Sequence, residues 1–327
     1  MKKTIAIILA LLMVMTVIPF AGSFAAEGKG APSEFASAPA LYVHAVSDSA
    51  DTQAWQGWQS EHDEDFIVEN PDEKYFFLPS SANENTVDVY NGFDTAVTLN
   101  NVAIPAGATA AVPYAANATY TVTANNHAYT LKIMKSNAEG AIYINNPDAD
   151  GSGTDLMTYL NDDKSNSAAA TGAIVTPSGK IDNTAIKKIK GRGNTSWAKP
   201  KKGYNITYDK KVSISGMEKN KKYSILPNYQ DDSLSRNRFL YDLSDAVGLP
   251  YASDSRYVDF YVNGFYWGSY LMCEKVEPGS LVPEVSDTGY LNDDGTIKED
   301  FAFIAEVDAS ATDGDYYVTT NNMKITI

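Results

Sequence analysis

The sequence predicts an α+β, strand-rich protein in which a small β-sandwich-like domain precedes a second domain built around a glycine-rich turn. The 327-residue chain is long enough for two ordinary domains, and its hydrophobic fraction of 44% can supply two cores. Its 21 Tyr residues, together with many Thr and Val, favour strands over helices. Turn residues separate several short strand-like runs, whereas a single later stretch has clear helical spacing.

The first 26 residues have the pattern of a secretory signal peptide. Two lysines precede an apolar run over residues 5–20, and small residues occupy Ser23 and Ala25, the positions that a signal peptidase reads. A membrane anchor is the alternative, but the chain after Ala25 is polar and lacks flanking basic residues. We therefore expect a secreted or cell-surface protein whose mature chain contains no membrane span.

Residues 70–145 are predicted to form the sandwich-like domain, whereas residues 27–69 stay unassigned. Short strand-like runs, such as residues 86–90 and 120–123, are separated by turn residues at Asn91-Gly92 and similar positions. The composition then changes, because residues 146–171 are rich in Asp, Ser, Gly and Asn. We interpret this stretch as a linker.

Three aspartates of this predicted linker resemble a calcium-binding loop. Asp148, Asp150 and Asp155 have part of the spacing, but the glutamate that ends such a loop is absent. A solvated loop is therefore the favoured interpretation.

The second domain, over residues 172–327, is predicted to begin with strands joined by a Gly-Arg-Gly turn. Residues 186–190 have a strand pattern, and Gly191-Arg192-Gly193 follows directly. Lys202 has the same parity as three apolar residues that alternate along the next strand, namely Tyr204, Ile206 and Tyr208. All four side chains are therefore expected to project from one face of the sheet.

A helix and a β-hairpin follow along the chain. The helix is predicted to begin after a capping sequence that includes Asp232, and to end at Val247 before Gly248. Leu240 and Leu243 have the spacing of an apolar helix face. Asn263-Gly264 is the strongest short hairpin signal and predicts paired strands over residues 256–262 and 265–276.

The charge distribution is strongly uneven. Residues 187–222 contain 12 Lys and Arg against two acids, Asp209 and Glu218, within a protein of net charge −15. Such a basic island with glycines favours a site for a small, highly charged anion rather than nucleic acid, which is usually bound by a wholly basic face. The alternative is a glycine hairpin with solvated lysines. The single cysteine, Cys273, lies in an apolar strand pattern and is expected in the core.

The order of predicted elements is that of the small lobe of a protein kinase. A strand, a glycine turn, a strand with an inward lysine, a helix and a hairpin follow one another. This order suits phosphate binding, because glycines let backbone N–H groups approach phosphate oxygens and Arg192 can grip phosphate with two hydrogen bonds.

Specific motifs make the second domain resemble the CotH kinase family, the relatives of spore coat protein H. The motifs are K-G-R-G-N-T-S-W from Lys190, P-K-K-G-Y-N-I from Pro200, Gly216-Met217 with Lys221-Lys222-Tyr223, Asn228 with Asp232-Ser233-Leu234 and Arg236-Asn237, Val258-Asp259 with Val262-Asn263-Gly264, Tyr266, Gly268 and Tyr270, and Glu274. The resemblance implies an atypical protein-kinase-like fold that uses ATP with Mg²⁺ or another divalent metal. It also implies phosphorylation of Ser or Thr in exported or coat proteins.

The resemblance also implies roles for seven residues of the nucleotide site. Arg192, Gly193 and Asn194 match the phosphate loop, and Lys202 matches the phosphate-pairing lysine, with Lys201 as the alternative. The remaining two matched residues are Arg236 and Glu274. Arg236 is expected to orient the lysine or the phosphates, and Glu274 to hold Lys202 or to line the adenine pocket.

One departure from the family pattern limits the expected activity. Family members continue into a larger lobe with an Asp and Asn segment and a W-D-x-D motif, and neither occurs before Ile327. We therefore expect a C-terminally incomplete kinase-like domain whose catalytic Asp and metal ligands lie beyond Ile327, and which is inactive alone. A surface or spore-coat adhesion protein with a non-catalytic kinase-like domain is the alternative function.

Overall fold

The computed structural model describes residues 40–44, 55–60, 70–276, 281–282, 285, 289, 291–301, 303–304, 306–307, 317–320 and 323–326. The predicted signal peptide over residues 1–26 lies outside the described residues. Among the residues that are described, no helix is both long enough and apolar enough to cross a membrane. The structure is strand-rich with few helices, which confirms the predicted α+β, strand-rich class.

The first half of the described chain contains two sheets that share one core. A four-stranded sheet has the order β2-β1-β4-β7, and a five-stranded sheet has the order β3-β9-β8-β5-β6. Their alternate side chains, such as Val87 and Val89 around the exposed Asp88, point inward and form a single hydrophobic cluster with the facing sheet. The strands are β1 (Leu41–His44), β2 (Trp55–Gly57), β3 (Glu73–Leu78), β4 (Thr86–Asn91), β5 (Val97–Leu99), β6 (Val102–Ile104), β7 (Thr109–Pro113), β8 (Ala118–Ala124) and β9 (His127–Lys135).

The second half forms a closed barrel with the strand order β10-β11-β12-β13-β14-β16-β15. All neighbours are antiparallel except β10 and β15, whose parallel pairing closes the barrel. The barrel strands are β10 (Ala141–Asn145), β11 (Ser167–Val175), β12 (Ile181–Arg192), β13 (Gly203–Val212), β14 (Asn220–Leu226), β15 (Ser255–Val262) and β16 (Phe265–Glu274). A small sheet of β17 (Glu306–Val307), β18 (Tyr317–Thr320) and β19 (Met323–Thr326) follows along the chain.

Two stretches belong to elements other than those that the sequence predicts. The sequence prediction puts residues 141–145 at the end of the sandwich-like domain. In the structure, Ala141–Asn145 forms the first barrel strand and pairs with β11 and β15. The predicted linker contains helix α1 (Leu156–Asp162) and the start of β11. Asp155 caps α1, since its carboxylate accepts the N–H groups of Met157 and Thr158. Local patterns could not show this, because the parallel partner of β10 is more than 100 residues away.

The barrel contains the predicted kinase-like element order, but not as an open sheet. The glycine turn, β13, β14, helix α2 (Arg236–Ala246) and the β15–β16 hairpin follow one another as expected. β10 and β11 precede them and close the sheet on itself, so the small-lobe architecture is not confirmed. The interior is filled by Tyr204, Ile206 and Tyr208, which do share one face as predicted, together with residues of α1.

Helix α2 lies on the barrel in an orientation that the sequence does not predict. Leu240, Leu243 and Val247, expected to face a core, are 56%, 43% and 62% exposed. Contact with the barrel is made instead through Tyr241, which packs beside Cys273, and through Arg238, whose Nη1 donates to the carbonyl of Ser255 in β15 at 2.7 Å. The helix spacing identified an apolar stripe but could not identify what covers it.

The cap of helix α2 uses another residue of the predicted capping sequence, Asp231-Asp232-Ser233, than the expected Asp232. Asp231, rather than Asp232, accepts the N–H of Arg236 at 2.8 Å and the N–H and hydroxyl of Ser233. These bonds lower the pKa of Asp231. Asp232 makes no capping hydrogen bond to α2.

The sandwich packs against the β15–β16 hairpin of the barrel. The backbone N–H of Gly57 donates to the carbonyl of Gly264 at 2.8 Å, and Gln59 exchanges two hydrogen bonds with the backbone of Tyr266. The ring of Tyr266 stacks on Phe77 with centroids 4.6 Å apart. The hairpin turn has φ of 49° at Asn263 and 77° at Gly264, as the Asn-Gly signal predicts.

A buried carboxylate, Asp259, lies beside this contact and supports a pH prediction. Its side chain accepts from the hydroxyl of Tyr266 at 3.3 Å, while Oδ2 has no partner among the described residues. Burial raises the pKa of Asp259 to about 6, against partial opposition from hydrogen bonds with Ser136 and Tyr266. The folded protein therefore retains a proton on this carboxyl at pH values where the unfolded chain, with an ordinary aspartate pKa of about 4, has already released it.

The free energy of unfolding should therefore fall as pH rises from about 4 to about 6, by about 3 kcal/mol from this group. Asp259→Asn should remove this contribution, so that its stability curve becomes flatter than that of the wild type across this window. Urea unfolding at a series of pH values measures both curves, with Asp94→Asn, an exposed change in the sandwich, as the control. Parallel curves for the wild type and Asp259→Asn would contradict the prediction.

Candidate anion-binding site

The Gly-Arg-Gly turn connects β12 to β13 and has two positions that accommodate glycine alone, one because of its backbone conformation and one because of its close packing. Gly193 has φ of +98°, and a Cβ there would lie 2.1 Å from Ser196 Oγ. A Cβ on Gly191 would lie 2.5 Å from two ring atoms of Trp197. Trp197, in a short 3-10 helix over Thr195–Ala198, therefore packs directly on the strand.

The turn presents backbone donors that the described part of the protein does not use. Asn194 and Thr195 are exposed, and no described residue accepts a hydrogen bond from the N–H groups of residues 193–196. A run of such N–H groups is a recurrent partner for anions.

Lys202 and Lys201 lie beside the turn and bond to backbone carbonyls. Lys202 Nζ donates to the carbonyls of Trp197 at 2.8 Å and Lys199 at 3.4 Å, and lies 4.8 Å from the centre of the Trp197 ring. Lys201 Nζ donates to the carbonyl of Ser269 at 2.6 Å and lies over the Tyr270 ring. Lys202 therefore holds the backbone of the turn through these carbonyl groups. A phosphate-binding lysine would instead direct its ammonium group toward the ligand.

A cluster of cations lies on the outer surface of the barrel next to the turn. Because Ile189 and Tyr223 point into the barrel, the alternation of each strand places Lys190 and Lys222 on the outside. We call this cluster the cationic face. Its members share the outer surface of β12, β14 and the end of β16: Lys188, Lys190, Arg192, Lys222 and Lys275.

The charges of the cationic face are close enough to act on one another. Burial lowers the pKa of Lys275, and the positive charges of Lys222, Arg192, Lys190 and Lys188 lower it further. The backbone N–H of Lys275 donates to the carbonyl of Lys222 at 3.2 Å. In the described part of the chain, no carboxylate lies within ion-pair distance of Lys188, Lys190 or Arg192. The surface therefore favours a bound anion.

Arg192 lies where the cationic face meets helix α2. The hydroxyl of Tyr241 donates to the sulfur of Cys273 at 3.8 Å, and the charge of Arg192 acts on both groups. Burial raises the pKa of the Cys273 thiol, and the nearby guanidinium partly offsets this increase. Cys273 is 3% exposed, in agreement with its predicted core position.

With this geometry in place, residues 189–325 match the family model described as CotH kinase protein. This match supports the assignment of that region to the CotH family. The match covers about two fifths of the chain and begins within β12, so that it omits β10, α1 and β11 of the barrel. A search of curated proteins found no match to the chain.

The structure gathers some of the site residues expected from the CotH resemblance and separates others. Arg192, Gly193 and Asn194 form the turn, with Lys202 and Lys201 beside it. Glu274 lies on the inner face of the barrel, opposite Tyr223, and accepts the N–H of Asp254 at 3.1 Å. Burial raises its pKa. Lys202 and Glu274 therefore have different partners and do not form the expected pair.

Arg236 also lies apart from the turn. Its side chain is 77% exposed, and Nε lies 3.4 Å from Asp231 in the cap of α2. The turn of α2 that carries it points this side chain to solvent, so that Arg236 contacts neither Lys202 nor Arg192.

Lys222 and Lys275 are members of the cationic face to which the sequence reasoning gave no role. Lys222 lies on β14, the strand before α2, and Lys275 follows the last barrel strand. The element order contained a signal for Lys222, because the strand before the helix carries the phosphate-pairing lysine in kinases. Lys275 had no such signal, since it comes near β12 only through the pairing of β16 with β14 and of β14 with β13.

The described residues do not fit a metal site. Among them, no group of three or more His, Cys, Asp or Glu side chains comes together. Asp148 and Asp150 instead accept hydrogen bonds within their own loop, from Gly153 at 2.8 Å and from Ser152 and Thr154.

Proposed function

We propose that the CotH region binds the phosphates of ATP on the cationic face, as the nucleotide-holding part of a secreted CotH-type atypical protein kinase. The proposed acceptors are Ser or Thr side chains of exported or coat proteins. The observation that supports the proposal most strongly is the grouping of cations on this outer surface. Lys222 is aligned with Lys188 across β13, Arg192 begins the glycine turn, and the charges of all three act on Lys275. Secretion is supported by the signal-peptide pattern of residues 1–26.

Different groups of the site can bind different phosphates of a triphosphate. The guanidinium of Arg192 can donate two parallel hydrogen bonds to one phosphate. Lys222 can act as a mobile point charge on the neighbouring phosphates. The N–H groups of residues 193–196 add donors at fixed positions. A divalent metal, when bound with ATP, would neutralise further phosphate charge.

A non-catalytic surface or adhesion protein is the second candidate function. It is favoured by the engagement of Lys202 with backbone carbonyls and by the lack of an acidic cluster among the described residues. The two candidates differ in one measurable respect, because only the kinase requires ATP to bind at the turn.

Two adjacent lysines of β14 provide the test of the proposed function. Lys222 lies on the outer cationic face, whereas Lys221 has the opposite parity and is exposed at the barrel end. We expect Lys222→Met to weaken ATP binding about tenfold, because a charged hydrogen bond contributes about 1.5–3 kcal/mol, and Lys221→Met to change it less than about twofold. Isothermal titration of the full chain with ATP at about 0.15 M salt measures both affinities.

Equal losses in the two variants would indicate general electrostatic attraction rather than a site. A wild-type protein that does not bind ATP would contradict the proposal and favour the non-catalytic function.

A further inference from the structure

Lys164 reaches the glycine turn from outside the CotH-matched region. It lies between α1 and β11, about 25 residues before the match begins. Its Nζ donates to the carbonyl of Gly193 and to Oδ1 of Asn194, each at 3.1 Å. The side-chain stem also packs by Gly191, where Cγ would lie 3.2 Å from an added Cβ. One side chain therefore contacts three successive parts of the turn.

The backbone that carries Lys164 is held firmly. Asp163 accepts the N–H of Ser165 at 2.7 Å, and its carbonyl accepts the N–H of Asn166 at 3.0 Å. Asn166 in turn donates to the carbonyl of Tyr159 in α1 at 2.8 Å. Helix α1 is anchored because its apolar residues are buried in the barrel core. The backbone that carries the Lys164 ammonium group is therefore fixed in position by α1.

The contact with Gly193 determines the direction of a donor in the turn. A trans peptide unit is planar, so its C=O and N–H groups point in opposite directions. Because the carbonyl of Gly193 points to Lys164, the N–H of Asn194 must point away from it. Lys202 constrains the carbonyl of Trp197 in the same way at the other end of the turn. The two lysines therefore hold carbonyl oxygens, which would repel an anion, away from the exposed side.

We propose that Lys164 is a positioning residue that orients the Gly193–Asn194 peptide for phosphate binding, although it lies outside the segment that defines the CotH match. The inference rests on the proposed function for its ligand, a nucleoside triphosphate. Lys164 does not itself contact the phosphate, since its ammonium already has two acceptors in the turn.

The test uses the full chain and three variants. Lys164→Met removes the donor, Lys164→Arg keeps a cation that can donate to both acceptors, and Lys180→Met removes an exposed lysine from the β11–β12 turn. Two quantities are measured: the NMR order parameter of the Asn194 amide without nucleotide, and the affinity for ATP by titration. Unchanged order parameters in β15 verify that each variant is folded.

We expect Lys164→Met to lower the Asn194 order parameter from about 0.85 to below about 0.6 and to weaken ATP binding about tenfold. Lys164→Arg should recover most of both quantities, and Lys180→Met should leave both unchanged. An unchanged order parameter with weakened ATP binding would overturn the inference, because it would mean that Lys164 contacts phosphate directly. An unchanged affinity with a loosened amide would also overturn it.

Failure of the proposed function gives a different result. The wild type would then fail to bind ATP, while Lys164→Met would still lower the order parameter. That outcome overturns the nucleotide assignment for the turn but retains the contact between Lys164 and Gly193.

Discussion

Replacing Arg192 by methionine is expected to weaken ATP binding about 10- to 100-fold, the largest effect of any single substitution on the cationic face. A bidentate, charge-assisted contact contributes about 1.5–3 kcal/mol, and methionine removes all of its donors while keeping a similar apolar stem. The electrostatic effect should extend to Cys273 and Tyr241, because burial raises the pKa of both groups and the Arg192 charge partly offsets that rise. Titration with ATP measures the loss of affinity directly.

Two further variants show whether the loss of ATP affinity is specific to Arg192. Lys210→Met removes a charge from the same basic stretch, at an exposed position paired with Asp182, and should change affinity less than about twofold. Arg236→Met tests whether Arg236 binds ATP, as the family resemblance implies. The structure predicts little effect, because this side chain is 77% exposed and lies beside Asp231. A loss for Arg236→Met as large as that for Arg192→Met would show that the start of α2 belongs to the site.

Gly191→Ala is expected to destabilise the protein by about 1–3 kcal/mol and to displace the indole of Trp197. The added Cβ would lie 2.5 Å from two ring atoms, far inside van der Waals contact, and the ring is held between the strand and Tyr204. Urea unfolding measures the change in free energy, and tryptophan emission reports the altered packing. The loop that carries Gly193 and Asn194 should loosen as a result.

The control for this prediction adds volume to the same strand where space is available. Ala185→Val lies at an exposed position of β12 and should change stability by less than about 0.5 kcal/mol. A second comparison removes the indole ring that the new Cβ would contact. In a Trp197→Ala variant, Gly191→Ala should lower the free energy of unfolding much less than it does in the wild type. Equal costs on both backgrounds would contradict the assigned contact.

Local sequence patterns were sufficient to predict many strands, the hairpin and the glycine turn. Alternation identified the inner residues Tyr204, Ile206 and Tyr208, because a sheet face depends only on neighbouring positions. The left-handed conformations at Asn263 and Gly193 likewise follow from the residues themselves. These features need no information about distant parts of the chain.

Features that depend on distant pairing could not be predicted. Parity placed Lys202 with the inner residues, yet the 3-10 helix before β13 supplies carbonyls that its ammonium binds. Glu274 shares the family motif but points into the barrel, because Cys273 takes the outer position next to α2. Lys164 was assigned to a linker, since nothing in its local sequence indicates a contact with Gly193 about 30 residues later.

The parallel pairing of β10 with β15 also has a consequence for the order in which the protein folds. The strands β11 to β14 pair with sequence neighbours and can form as soon as each is synthesised. β10 must wait for residues more than 100 positions later before its second edge is covered. Contacts of such large sequence separation slow folding and leave a strand edge open to other chains. We therefore expect barrel closure to be the slow phase in refolding kinetics, and the intermediate before it to be the species most prone to aggregate.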